Sequence, residues 1–246
     1  MPYSAWAAVG AAAILSTLAV GCDAKADDAT VTCPAPTTSV FEAADVSSSD
    51  TAPKHRQAID TAFDRALTMA ARCPDVEAHL VVFASGPGDS RVVYDGRPQG
   101  SGPNDRARAH NLKVAVLPRV RSQVQQAVAE AASALGPGSD PLAGFDLLGD
   151  YARTHPDRKL VATVRSDGVS TSTRLALDHP LTADDRALAT TVAAPVVAVV
   201  SLTMPGVGAT APPPPPADYV ADLRTFWTTV CQRVAPQCVV TSEVTK

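Results

Sequence analysis

The sequence predicts an α/β fold in which a mostly parallel, doubly wound sheet carries helices on both faces. Short apolar runs alternate along the chain with longer segments whose apolar residues recur at helical spacing. The apolar runs, such as residues 77–84 and 195–203, are continuous, as expected for strands that are buried on both faces. The 246-residue length suits one large domain or two small ones.

The first half of the chain provides the first three strands. Residues 37–45 form the first predicted strand, and Pro53 then opens a helix, a position that favours proline. Apolar residues recur at helical spacing from there to Arg72. Residues 77–84 predict a buried strand, and residues 91–96 predict a short return strand that completes a hairpin.

The second half continues the alternation, and one domain from residue 37 to 246 accounts for it. Pro212 to Pro216 are expected to be a loop inside this domain, because the sheet needs the helix and strand that follow. The elements predicted there, in chain order, are a loop at 96–106, a helix from 116 to 135, a helix after 140, a strand at 159–168, a helix at 182–193, a strand at 195–203, a helix through Val230 and a strand at 238–244.

The composition excludes some classes of function. The chain has 25 acidic and 21 basic side chains and a net charge of −4, which gives no reason to expect a nucleic-acid partner. It contains no CxxC motif and no histidine cluster, so a zinc site is not expected.

The amino terminus predicts export. Residues 5–20 are almost entirely apolar, which is short for a membrane span but typical of a secretory signal. The run ends in small residues before Cys22, which resembles a bacterial lipobox in which the cysteine is diacylated. We therefore expect a signal peptide at 1–21, a tether at 22–36 and a lipid anchor on the extracytoplasmic face of the membrane. A plain signal peptide or an uncleaved anchor are the alternatives.

Without Cys22 the chain has four cysteines. An even number in an exported protein suggests two disulfides, and three pairings are possible. The four are Cys33, Cys73, Cys231 and Cys238.

Oxygen-bearing side chains follow two of the predicted strands and precede one helix. The carboxyl ends of parallel strands are where ligands bind in open sheets. Hydroxyl and carboxylate oxygens are ligands that Mg²⁺ accepts, and so few of them leave positions open on the ion. Each of these short motifs, taken alone, is more typical of turns and helix caps than of a metal site. The candidates are Asp45, Ser47, Ser49, Ser139, Asp140 and Asp167.

The order of these pieces resembles the von Willebrand factor type A (VWA) domain over residues 37–246. That family has a Rossmann-like fold and a metal-ion-dependent adhesion site. Its DxSxS motif corresponds to Asp45, Ser47 and Ser49, its loop hydroxyl to Ser139 beside Asp140, and its fourth-strand aspartate to Asp167 of "RSDG". The resemblance implies that the hydroxyls contact the ion directly and that the aspartates bind it directly or through water.

The same resemblance suggests how the cysteines pair. In a fold of this kind Cys33 and Cys73 lie close together at the sheet edge opposite the metal, and so do Cys231 and Cys238. Both pairings are therefore reasonable, each contributing about 2–4 kcal/mol. The alternative leaves Cys231 as a buried free thiol.

The function predicted in this way is binding rather than catalysis. We expect Mg²⁺ or Mn²⁺ at the site and an acidic group of a protein partner that completes the coordination. One alternative is a metal-assisted hydrolase that uses Asp45 and Asp167. No general acid or base is evident for it, and no Lys or His lies near the motifs. A scaffold lipoprotein with an empty metal site is the other alternative.

Overall fold

A computed structural model describes residues 32–47, 53–209 and 215–243. The predicted signal peptide, Cys22 and Ser49 lie outside these residues, as does most of the proline loop. The compact unit that begins at Thr32 and runs to Lys246 contains all the helices and strands of the described residues. It is an α/β unit with a mostly parallel sheet and helices on both faces, which confirms the predicted fold class. In the part of the chain that the structure describes, no helix is long and apolar enough to cross a membrane.

The sheet has six strands in the order β3-β2-β1-β4-β5-β6. All neighbouring strands are parallel except β2 and β3, which form the predicted hairpin. The central strand β1 lies between β2 and β4, so its carboxyl end is flanked by theirs. The strands are β1 Thr38–Asp45, β2 Glu77–Phe83, β3 Ser90–Gly96, β4 Lys159–Arg165, β5 Val199–Pro205 and β6 Cys238–Thr241.

Six α-helices and one π-helical turn connect the described strands. Helices α1 and α3 pack on one face of the sheet, against β1, β2 and β3, while α4 and α6 pack on the other, against β1, β4, β5 and β6. The helices are α1 Pro53–Arg72, α2 Asp105–Asn111, α3 Leu117–Ala134, α4 Pro141–Thr154, α5 Ala183–Leu188 and α6 Ala217–Val234, and the π-helical turn Leu112–Val116 joins α2 to α3.

The structure differs from the predicted elements at several places, including earlier ends of β4 at Arg165 and of β6 at Thr241. A helix begins at Asp105 inside the expected loop, because Asn104 accepts a hydrogen bond from the Ala107 amide at 2.9 Å and caps it. The strand expected from residue 195 begins at Val199 instead, since Pro195 has no amide hydrogen to donate to a neighbouring strand. The helix expected over 182–193 ends at Leu188.

The main core lies between the sheet and the α4 and α6 layer. Alternate residues of β1 and β2 point into it, and Trp227 of α6 is completely buried there. This burial fixes the strands whose carboxyl ends carry the candidate site. The largest fully buried side chains of the cluster include Phe41, Phe83, Leu148, Leu160, Leu202, Met204 and Trp227.

Two disulfides link segments of the chain near the amino ends of the parallel strands. They join Cys33 to Cys73 and Cys231 to Cys238, with Cα–Cα separations of 5.5 and 5.7 Å. These are the pairings that the resemblance implied, and Cys231 is not a free thiol. Cys33 precedes β1 and Cys238 begins β6, so both bridges lie near the amino ends of the parallel strands.

Candidate metal site

Asp45 is the centre of the candidate site. It is the last residue of β1, and its side chain is completely buried. The Ser47 amide donates to Asp45 Oδ1 at 2.9 Å, so the chain turns back over its own carboxylate immediately after the strand. Ser47 is buried as well, which places its hydroxyl inside the fold rather than in solvent.

Two other hydroxyls meet the same carboxylate. Ser139 Oγ donates to Asp45 Oδ2 at 2.6 Å, and Ser166 Oγ donates to the same oxygen at 3.0 Å. Ser139 precedes α4, and Ser166 follows β4. Three separate segments of the chain therefore converge on one buried carboxylate at the carboxyl edge of the sheet.

The Ser139 loop is held in place by backbone hydrogen bonds on both sides. The Asp140 amide donates to the Ala84 carbonyl at 2.8 Å, which ties the loop to the end of β2. Ser139 also exchanges hydrogen bonds with Thr171, since its amide donates to Thr171 Oγ1 and its carbonyl accepts from the Thr171 amide, both at 2.9 Å. The position of the Ser139 hydroxyl is thus determined by two neighbouring loops.

The carboxylate of Asp140 has other partners. It caps α4 by accepting from the Leu142 amide at 3.2 Å, and its second oxygen lies 3.2 Å from an Arg174 nitrogen. Burial raises the pKa of Asp140, and the guanidinium of Arg174 acts in the opposite direction. Ser139 and Asp140 were both predicted as ligands. The Ser139 hydroxyl contacts Asp45, whereas the Asp140 carboxylate caps α4 and pairs with Arg174.

Asp167 follows Ser166 directly and is completely buried. Its Oδ1 accepts from the Val169 amide at 2.8 Å, and its carbonyl accepts from the Gly208 amide at 2.7 Å. Gly168 has φ +78°, and a Cβ there would lie 2.8 Å from Trp227 Nε1, so this turn requires glycine. The Trp227 ring also donates to the Gly168 carbonyl at 2.8 Å, which joins the site to the core.

Burial makes the ionised form of Asp45 unfavourable on its own. Burial raises the pKa of Asp45, and the hydrogen bonds from Ser139, Ser47 and Ser166 only oppose that shift. A buried carboxylate of this kind costs free energy when it is ionised without a positive charge nearby. A divalent ion bound to it would offset that cost.

A histidine also lies beside the site, contrary to the expectation that no Lys or His would. His55, in the first turn of α1, is buried, and burial lowers its pKa to about 4. The positive charge of Arg165 acts in the same direction, while a hydrogen bond to the backbone of Asp45 opposes it. The ring is therefore neutral at physiological pH and adds no charge that would compete with a cation.

The oxygen donors fit a hard cation. Asp45, Ser47, Ser139 and Asp167 supply carboxylate and hydroxyl oxygens, which are the ligands that Mg²⁺ and Mn²⁺ prefer. Across residues 32–47, 53–209 and 215–243, no group of three or more His, Cys, Asp or Glu side chains is arranged to hold a metal ion. The candidate site therefore depends on serine hydroxyls as much as on carboxylates.

Three residues of the site had no role in the sequence prediction. Ser166 could have been found, because it directly precedes Asp167 and follows a predicted strand. Thr171 and Arg174 gave no such signal, because they lie in an irregular segment and reach Ser139 and Asp140 only through the tertiary fold.

Comparisons with known proteins leave the family open. No protein-family model matches the chain, and no curated protein matches it. Among solved structures, proximal thread matrix protein 1 from the mussel byssus aligns with 12% identity and a TM-score of 0.44, over 85% of this chain and 44% of its own. The pilus adhesin SpaC of Lactobacillus rhamnosus GG aligns with 18% identity and a TM-score of 0.34, over 56% of this chain and 15% of its own. The chain thus spans less than half the length of either protein, and similarities this weak carry no argument about function.

Proposed function

We propose that this protein is a VWA-like binding domain, exported and lipid-anchored, that binds a protein partner through a divalent cation. The convergence of the Ser139 and Ser166 hydroxyls on the buried Asp45 carboxylate carries the proposal. Hydrogen bonds of this kind place hydroxyl oxygens where a cation on Asp45 would also meet them. The arrangement supports ion binding at the carboxyl edge of the sheet, where ligands bind in this class of fold.

The residues leave room for a partner to take part. Mg²⁺ or Mn²⁺ held by a few protein oxygens would keep coordination positions open to an acidic group of another protein. Asp45 provides the buried negative charge, Ser47 and Ser139 provide neutral oxygens, and Asp167 provides a second carboxylate. Two carboxylates balance the charge of the ion, so a third from a partner is attracted less strongly and can dissociate.

The candidate site lies far from the edge of the sheet at which the described chain begins. The described chain begins at Thr32, at the edge of the sheet that holds the Cys33–Cys73 bridge. The candidate site lies at the other edge, beyond the carboxyl ends of β1 and β4. The candidate site and the Cys33–Cys73 bridge thus lie at opposite edges of the sheet.

Calorimetric titration with Mg²⁺ and with Mn²⁺ tests the metal site directly. We would use the unit Thr32–Lys246, which contains all described elements and both disulfides. The wild type is expected to bind either ion at millimolar or lower concentration, and Asp45→Asn, which keeps the side-chain shape, is expected to abolish binding. Absence of heat with both ions in the wild type would overturn the metal-dependent function.

Asp89→Asn is the matched control. Asp89 also lies at this edge of the sheet, where its carboxylate accepts from Ser85 Oγ at 2.6 Å and from the Gly136 amide at 3.0 Å. It is not one of the predicted donors, so its variant should bind the ions as the wild type does. If both variants lost metal binding equally, the ions would be attracted only by the overall negative charge at this edge of the sheet.

A glutamate-containing peptide tests the role of the partner. It is expected to bind the Mg²⁺-loaded wild type and to be released by a chelator, because its carboxylate would complete the coordination. Metal binding without any metal-dependent peptide binding would favour the scaffold alternative, in which another surface makes the contacts.

A further inference from the structure

Positive charge is concentrated in one segment of the chain. Residues 97–119, called here the basic segment, carry five Arg or Lys side chains and one carboxylate, whereas the whole chain has a net charge of −4. The basic side chains are Arg97, Arg106, Arg108, Lys113 and Arg119, and the carboxylate is Asp105. The rest of the molecule is correspondingly acidic.

All five of these cations are exposed. Arg108 pairs with Asp105 on the same helix, and Arg97 Nε donates to the Ala70 carbonyl at 3.1 Å. Within the described part of the chain, Arg106, Lys113 and Arg119 form no ion pair. Three full positive charges of this segment are thus available to a partner.

Arg106 and Lys113 lie on helical backbone that is not buried. Neither α2 nor the π-helical turn Leu112–Val116 contains a buried residue. Val114, in that turn, has 55% of its surface exposed next to Lys113. Exposed basic side chains interspersed with apolar ones are typical of helices that lie on a membrane surface.

The start of the basic segment lies close to the end of α1. Arg97 contacts the end of α1, and Ala71 of that helix lines one surface cleft together with Arg108 and Leu112. The next turn of the chain reaches Cys73, which is bridged to Cys33. Arg97 and Arg108 are therefore close to the Cys33–Cys73 bridge.

We propose that the basic segment binds the anionic phospholipid headgroups of the membrane to which the tether leads. The inference rests on the anchored state in the proposed function but is independent of the metal site. Residues 23–32 can span at most about 35 Å when extended, so a lipid anchor at Cys22 would hold the domain within that distance of the bilayer. Clusters of four or more exposed cations near a membrane attract anionic headgroups.

The charge distribution also gives the domain an orientation. The candidate ligands Asp45 and Asp167, and the nearby Asp89, lie at the edge opposite the Cys33–Cys73 bridge. Contact through the basic segment would keep these carboxylates away from the negative lipid surface. Contact with the lipids and presentation of the metal site to a partner would thus reinforce each other.

Vesicle co-sedimentation of the unit Thr32–Lys246, which lacks the lipidated cysteine, isolates this contact. Vesicles of phosphatidylcholine alone are compared with vesicles containing about one-third phosphatidylglycerol, in EDTA and at low salt. We expect binding only to the anionic vesicles, and weaker binding at about 0.5 M salt because screening shortens the reach of the charges. The chelator removes divalent ions, so failure of the metal site and failure of this proposal remain distinguishable.

The variant Arg106→Gln, Lys113→Gln, Arg119→Gln is expected to bind at least about tenfold more weakly. Its control is Lys54→Gln, Arg56→Gln, Arg224→Gln, which removes three exposed positive charges outside the segment. The control should bind as the wild type does. Circular dichroism verifies that both variants are folded.

Three results would overturn the proposal. The first is that the wild type does not bind the anionic vesicles at low salt. The second is that both triple variants lose binding equally, which would make net charge rather than this segment responsible. The third is binding to soluble polyphosphate without binding to vesicles, which would identify a polymeric anion as the partner instead of a lipid surface.

Discussion

Ser139 donates its hydroxyl hydrogen to Asp45 Oδ2 over 2.6 Å, although 94 positions separate the two residues. Asp45 ends the central strand, and Ser139 lies just before α4. Both side chains are buried, so the contact is protected from water and constrains two loops at once. Several measurable properties of the protein depend on this contact and on the packing around it.

Ser139→Ala should destabilise the metal-free protein by about 1–3 kcal/mol at neutral pH, because the buried Asp45 carboxylate loses a donor. The hydrogen bond favours the ionised form of Asp45, whose pKa burial raises. The loss should therefore become smaller as the pH falls and Asp45 takes up a proton. Urea unfolding at two pH values measures it. Ser133→Ala, which removes an exposed hydroxyl on α3, should show little change at either pH.

Two glycines of α4 give a matched pair of substitutions. A Cβ at Gly144 would lie 2.6 Å from Val164 Cγ1 and 3.0 Å from Phe83 Cε1, so Gly144→Ala must displace the core beneath the site. We expect a loss of about 1–3 kcal/mol in the free energy of unfolding. At Gly149 the nearest atom is 3.9 Å away, so Gly149→Ala should gain about 0.5–1 kcal/mol from helix propensity. Equal effects in thermal unfolding would contradict the close packing of α4 on β2 and β4.

Glu42 makes stability depend on pH. It lies on β1, partly buried, and burial raises its pKa to about 7, while Arg165, the hydroxyl of Thr163 at 3.0 Å and Arg65 oppose the shift. A carboxyl group whose pKa is raised by folding contributes most to stability below its ordinary pKa. That contribution is lost as the pH rises through the folded-state value, so the wild type should be less stable at alkaline than at acidic pH.

Glu42→Gln tests this dependence because it keeps an acceptor for Thr163 and removes the charge. The variant should exceed the wild type by about 2 kcal/mol near pH 8 and differ little near pH 5. Urea unfolding at both values is the measurement. Glu130→Gln, at an exposed site on α3, should show no such change with pH. If the variant and the wild type differed by the same free energy of unfolding at both pH values, packing rather than ionisation would explain the effect of the substitution.

Removal of the Cys33–Cys73 bridge should cost about 4 kcal/mol in the chain-entropy account, because it joins residues 40 positions apart. The Cys231–Cys238 bridge spans only 7 positions, and its cross-link should contribute about 2.5 kcal/mol. Double alanine variants compared by urea unfolding measure both. A smaller effect for the longer loop would indicate that the unfolded chain is already compact there.

The general position of the site could be predicted because it depends on local patterns. Apolar runs predicted where β1 and β4 end, and parallel strands bring those ends to one edge. Asp45 and Asp167 follow from that logic alone. The roles of Ser139 and Asp140 could not be separated in the same way, because both are oxygen-bearing residues in one loop.

The sequence by itself determined the alternation of strands and helices, the fold class and the strand ends that carry the polar residues, since each depends on periodicity within a short segment. The tertiary structure decided which oxygen points where. It directs the Asp140 carboxylate to Arg174, the Ser139 hydroxyl to the Asp45 carboxylate, and the His55 ring to the Asp45 backbone. These orientations depend on neighbours that are distant in the chain, so no local pattern contains them.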